Sequence, residues 1–145
     1  MDPKTKRVLI YVGAGCGVLT LAVCCVAAAG MYYCKASWDD TDQAAKAFVL
    51  DLRKGDVEGA YGRTTASYKK AHGLAAFRAR LDEAPAFTHH TSAIITQHFF
   101  QPGAVLLGGM LSTHDGTVPF HVELEKEEDG RWGVADFGRG LATPH

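Results

Sequence analysis

The segment TVPFHVELEKEEDGRWGVADFG, residues 117–138, contains two alternating apolar/polar runs separated by an acidic turn. In an extended chain Phe120, Val122 and Leu124 fall on one face, and His121, Glu123 and Glu125 on the other. Glu128-Asp129-Gly130 turns the chain into RWGVADFG (131–138). Asp-Gly between alternating runs is a strong hairpin signal. Working backward, His114-Asp115-Gly116 is a second such turn, preceded by AVLLGGMLST (104–113). Gln101-Pro102-Gly103 separates that run from SAIITQHFF (92–100). Four strands joined by short turns make an antiparallel meander. Gly108-Gly109, in the middle of the second strand, predicts a bulge or sharp bend, as a curling sheet requires.

Before Pro85 the period is helical. Ala44, Ala45, Phe48, Val49 and Leu52 share one helical face, with Asp40, Thr41 or Asp42 as candidate N-caps. Gly55 stops that helix, and Asp56 can cap a second from Val57 to about Thr65, which buries Val57, Ala60, Tyr61 and Thr64. SYKKAHG connects to a third helix from Leu74 to about Glu83, with Leu74, Phe77 and Leu81 turned inward. A sheet with one polar face must cover its apolar face with these helices. The expected fold is therefore α+β in two layers: three helices on a curved four-stranded antiparallel sheet.

Ahead of this body, Val8–Tyr33 is 26 consecutive residues without a charge. As a helix it would be about 39 Å long, enough to cross a hydrocarbon core of about 30 Å. Tyr11, Tyr32 and Tyr33 sit near its ends, where interfacial aromatics are favoured. Lys4, Lys6 and Arg7 precede it, whereas Asp39, Asp40 and Asp42 follow the lone Lys35. That asymmetry predicts an N-terminus in the cytoplasm and a body outside the cytoplasmic membrane. The run exceeds the usual signal-peptide core, which favours an uncleaved signal anchor over cleavage near VAAAG (26–30). The expected organisation is a basic tip (1–7), a transmembrane signal anchor (8–33), a linker (34–40), the α+β domain (41–140) and a tail (141–145). Gly13 and Gly17 are a small-xxx-small pair, though glycine is frequent in membrane helices generally.

The same run mimics a dinucleotide-binding turn, and the mimicry fails. Gly13 and Gly15 are followed by Val18 where a third glycine is needed, and VLTLAVCCVAAAG has no polar face for water. No cofactor is implied.

The body carries 12 basic and 15 acidic residues from position 35 onward, without a basic cluster, so nucleic acid is not an expected partner. All four cysteines, Cys16, Cys24, Cys25 and Cys34, lie in or beside the apolar run, which leaves the body without a disulfide or a cysteine metal site.

The helix, then KGDVEGAYGRTTASYKK, then a short helix carrying Phe77, then strands ending in EEDGRWGVADF, resemble the NTF2-like (cystatin-like) α+β superfamily. The likeness is to its small bacterial membrane-anchored domains of unassigned function, and it covers about residues 40 to 140. It rests on structural residues: Gly55-Asp56 between helices, Ala60-Tyr61 on a buried face, and Gly130 to Val134 opening the last strand. What it implies is a sheet curled into a cone with a pocket, which Tyr61, Phe77, Trp132 and Asp136 would line. Members include acid–base enzymes using Asp and His and many non-enzymatic binding modules, and the outer sheet face often dimerises.

Asp136 lies in phase with Trp132 and Val134. If those point inward, its desolvated carboxyl could act as a general base; if the strand bulges there, it is solvated. His98 either partners Asp136 across the sheet or sits outward at an edge. His121, Glu123 and Glu125 read as a solvated face, and the adjacent His89 and His90 point oppositely and cannot chelate together. No metal site, nucleophile elbow, phosphate loop or calcium loop is present by pattern. The expectation is a single-pass anchored extracytoplasmic domain that binds a small apolar ligand or a protein partner without catalysis. The alternative is a pocket enzyme of isomerase or dehydratase type using Asp136 and His98. A homodimer is a further expected association.

Overall fold

The computed structural model describes the backbone of residues 3–143 and the side chains of residues 20–32, 35 and 38–143. The chain divides into two compact units, Met1–Trp38 and Asp39–His145.

The first helix, α1, runs from Pro3 to Arg53 and so belongs to both units. The expected linker at 34–40 lies within it, and no cap forms at Asp40, Thr41 or Asp42. Nothing between Gly30 and Gly55 breaks a helix, because that stretch has neither glycine nor proline. Among the described residues no helix is long and apolar enough to cross a membrane. Of the expected span 8–33, the side chains of residues 8–19 and 33 lie outside the described set.

In the second unit, α1 is followed by α2 (Val57–Gly62), α3 (Ala66–Ala71), α4 (Leu74–Glu83) and α5 (Ala86–His89). The helical layer is thus more divided than the three helices expected. Asp56 caps α2 by accepting from the Gly59 N–H at 2.9 Å. The second expected helix stops at Gly62, and its SYKKA neighbour becomes α3 because Thr65 caps it, accepting from the Tyr68 N–H. Helix α5 begins directly after Pro85, whose fixed φ suits a first helical turn.

The strands are β1 (Ser92–Gln101), β2 (Ala104–Thr113), β3 (Gly116–Lys126) and β4 (Trp132–Arg139), antiparallel in the order β1-β2-β3-β4. Their turns and bounds match the sequence expectation closely. Gly103, Gly116 and Gly130 take positive φ at the three hairpins. The bend expected at Gly108-Gly109 is real, but the extra residue sits across from the pair, where the register of β1 shifts between Ile95 and Gln97. Gly109 approaches β1 so closely that a Cβ there would lie 2.1 Å from the Ile94 carbonyl oxygen.

Five fully buried rings fill the space between the layers: Phe48 of α1, Phe77 of α4, Phe87 of α5, Phe120 of β3 and Phe137 of β4. Phe137 is their hub, with centroids 5.3 Å from Phe48, 5.4 Å from Phe77 and 5.3 Å from Phe87. Leu52, Leu107, Leu111, Val122, Leu124 and Val134 complete the core. The interior that a cone-shaped pocket would occupy is packed with side chains.

Candidate functional site

A surface cleft of about 420 Å³ lies in the second unit between α1 and the start of β4. Successive turns of α1 present Asp40, Gln43, Ala44 and Ala47 to it, at i, i+3, i+4, i+7 spacing. The opposite wall is the β3–β4 turn with Arg131 and Trp132, and Arg63 closes one end. Ala44, Ala47, Val134 and the Trp132 ring supply apolar surface, while Asp40, Gln43 and the two arginines supply polar groups.

Arg63 is held by Asp51, its Nε lying 2.5 Å from Oδ2, which leaves the terminal guanidinium nitrogens for other contacts. Its backbone is fixed too. The carbonyl of Arg63 accepts from the Val134 N–H, and the Thr65 N–H donates to the Val134 carbonyl, so residues 63–65 run parallel to β4 as a short bridge. Trp132 is half-buried, and Lys126 Nζ lies 5.9 Å from its ring centre. Arg131 is exposed, and its backbone N–H is tied to Asp129 Oδ1.

Of the residues expected to line a pocket, only Trp132 lines this cleft. Phe77 is fully buried against Phe48, Tyr61, Tyr68 and Phe137. The Tyr61 hydroxyl donates to the His72 carbonyl at 2.8 Å. Asp136 is turned away by a bulge in β4. Leu124 pairs with Val134 and Glu123 with Asp136, so Ala135 is the extra residue and the alternation resets. Val134 and Phe137 both face the core, and Asp136 joins the opposite face, where its half-exposed carboxylate meets Arg80 at 2.7 Å. The inward phase expected from Trp132 and Val134 ends at that bulge.

His98 lies on the helix side of β1, and its Nε2 is 2.6 Å from Asp42 Oδ1 on α1. Asp42 also pairs with Lys46 at 3.3 Å. With β1 and β4 at opposite edges of a four-stranded sheet, His98 and Asp136 are separated by three strand spacings, about 14 Å. They do not form an acid–base pair. His121 sits on the outer face over Gly138, and its buried Nδ1 has no hydrogen-bond partner. His90 is buried, with Nδ1 donating to the Phe87 carbonyl at 2.9 Å, and desolvation pushes its pKa below the ordinary imidazole value. Among the described residues no three histidine, cysteine or carboxylate groups gather to hold a metal ion.

The sequence reading took Asp40 only as a candidate helix cap and flanking charge, and did not pick out Gln43, Arg63 or Arg131. The visible signal was the stripe at 40, 43, 44 and 47 on the flank of α1 beside its core face.

No family model and no curated protein matches this chain. Solved structures do. A Catenulispora acidiphila protein solved at 2.5 Å superposes with a TM-score of 0.53 at 16% identity, covering 76% of this chain and 94% of that one. A Campylobacter jejuni protein, provisionally named an NTF2-like transpeptidase, gives a TM-score of 0.51 at 16% identity over 67% of this chain and 98% of its own. A Catenulispora acidiphila structure in complex with S-DNPA gives 0.50 at 16% identity, over 72% and 92%. Several helices on a four-stranded antiparallel sheet, superposing on a protein named NTF2-like, make the fold of this chain NTF2-like.

Proposed function

We infer that this chain is a membrane-anchored, non-catalytic binding domain whose cleft between α1 and β4 receives a protein segment or small ligand. The observation that carries this reading is the separation of the two acid–base candidates, Asp136 and His98. Asp136 is neutralised by Arg80 at one sheet edge, and His98 is engaged by Asp42 at the other. A packed interior leaves recognition to the surface. There the cleft offers what binding sites combine: a half-buried indole, small apolar residues and a few fixed polar groups. Its open, mixed lining suits a polypeptide segment better than an enclosed apolar ligand.

The anchor rests on the sequence of 8–33, supported by Leu21, Val23, Val26 and Met31. These lie at well-separated angles around α1 and are each at least 60% exposed, an arrangement that water disfavours and lipid accepts. The basic tip favours an N-terminus in the cytoplasm with the folded unit outside it.

A photocrosslinking residue at Gln43 in the full chain, in its native membrane, tests this. A discrete adduct is expected at Gln43 and none at the exposed Glu58, and Trp132→Ala should remove the adduct. Equal labelling at both positions would remove the cleft from consideration, and the adduct mass separates protein from small ligand.

A further inference from the structure

The two edges of the sheet are treated differently. Along β4, Val134 is bonded by Arg63 and Thr65, and the Phe137 carbonyl accepts from Arg80. Edge β1 is SAIITQHFFQ, ten residues with no charge and no proline. Among the described residues, Ser92–Gln97 makes no backbone hydrogen bond beyond those with β2, and Ile94 is 59% exposed. Strand edges are normally blunted by charges, proline, bulges or covering segments; β4 is covered by its backbone partners, whereas β1 carries only the bulge between Ile95 and Gln97, which leaves Ser92–Ile95 regular.

Beside that stretch lies a groove of about 190 Å³ between α1 and β1. Val49, Leu50 and Ala93 supply its apolar lining and Lys46, Arg53 and His90 complete it, with Asp42 beside Lys46 at 3.3 Å as the nearest paired carboxylate. Arg53 anchors one end by donating to the Thr91 carbonyl at 2.8 Å. A strand added beside β1 would turn every second side chain, about 6.8 Å apart, toward the helix layer. Those side chains would fall in this groove.

We propose that the β1 edge is a second binding site, distinct from the cleft, that takes an extended partner segment by strand addition. The segment alternates so that an aliphatic side chain enters the groove and a neighbouring carboxylate meets Lys46 and Arg53. The backbone ladder supplies affinity, and the two cations select acidic over basic segments. A second copy of this chain is a poor occupant. Its own β1 has no carboxylate, and two-fold pairing would set both pairs of Lys46 and Arg53 along one seam.

The test uses the full chain in lipid nanodiscs and the fluorescein-labelled probe Thr-Val-Thr-Glu-Thr-Val-Thr, amidated at its C-terminus, followed by anisotropy. A probe with lysine replacing glutamate should bind about five- to tenfold more weakly, as expected for losing exposed ion pairs and adding repulsion. Alternate N-methylation of the probe should abolish binding. Lys46→Glu should invert the preference, so that the lysine probe binds better, an outcome that simple misfolding cannot produce. Hydrogen exchange should slow at Ser92–Gln97 when the probe binds. Equal affinity for both probes, indifference to N-methylation, or slowed exchange at β4 instead would overturn the proposal. So would protection of Ser92–Gln97 that rises with protein concentration without probe, since that outcome assigns the edge to a second copy.

Discussion

Arg80 holds Asp136 across the end of β4, guanidinium to carboxylate at 2.7 Å, while its Cζ lies 4.6 Å from the centre of the Phe137 ring. The contact spans α4 and β4 and occupies the carboxylate that the sequence offered as a general base. Asp136→Asn is expected to lower stability by no more than about 1 kcal/mol, because both partners are partly solvated. It should leave ligand capture by the cleft unchanged. Chemical denaturation and crosslinking at Gln43 measure the two effects. An outright loss of capture with the fold intact would return Asp136 to the functional site.

Phe137 touches three other buried rings. Phe137→Ala should cost about 3–5 kcal/mol, the range for emptying a large aromatic site in a packed core. A urea midpoint that barely moves would show that the neighbouring rings collapse into the space.

Gly109 tests the crowded crossing of β1 and β2. Its Cβ would lie 2.1 Å from a backbone carbonyl oxygen and 2.8 Å from the Phe120 ring, neither of which can swing away as a surface side chain does. Gly109→Ala is expected to destabilise by about 2–3 kcal/mol, whereas Gly62→Ala, with open space around it, should be near neutral or stabilising. Thermal melts of the two variants make the comparison.

The Asp42–His98 contact joins α1 to β1 at 2.6 Å, with both side chains roughly three-quarters covered. A double-mutant cycle with Asp42→Asn and His98→Gln should give a coupling of about 1–2 kcal/mol. Additive single losses would mean that the pair carries no net stabilisation.

His90 gives a pH dependence with a definite sign. Burial lowers its pKa in the folded state, so the unfolded chain takes up a proton first as pH falls. Its contribution is intact above the ordinary imidazole pKa of about 6.5 and is lost as pH drops below that value toward the depressed folded one. His90→Gln should flatten the acid limb of the stability–pH curve; an unchanged limb would assign acid sensitivity to other groups.

The strands were legible because alternation and Asp-Gly turns are local signals, and Phe120, Val122 and Leu124 all turn inward as their spacing dictates. The position of Asp136 was not, because one extra residue at Ala135 inverts everything after it and leaves no mark in composition. The helical layer was legible on its buried faces and not at its breaks. The chain leaves α2 at Arg63, and Thr65 caps the next helix through its side chain, a choice that Glu127 reinforces by accepting from the Ala66 N–H. The cleft escaped notice because its walls, Gln43 and Arg131, are 88 positions apart and meet only once the sheet has closed.

Among the described residues the five helices precede the four strands, and Phe137 belongs to the last strand. During synthesis the apolar faces of Phe48, Phe77 and Phe87 are therefore made well before the ring that joins them. At about 5–20 residues per second, the fifty residues from Phe87 to Phe137 take several seconds. Over that interval the nascent helices carry an uncovered greasy surface. Maturation of this domain is thus a race between the arrival of its final strand and the capture of its helices by chaperones or by other exposed apolar surfaces.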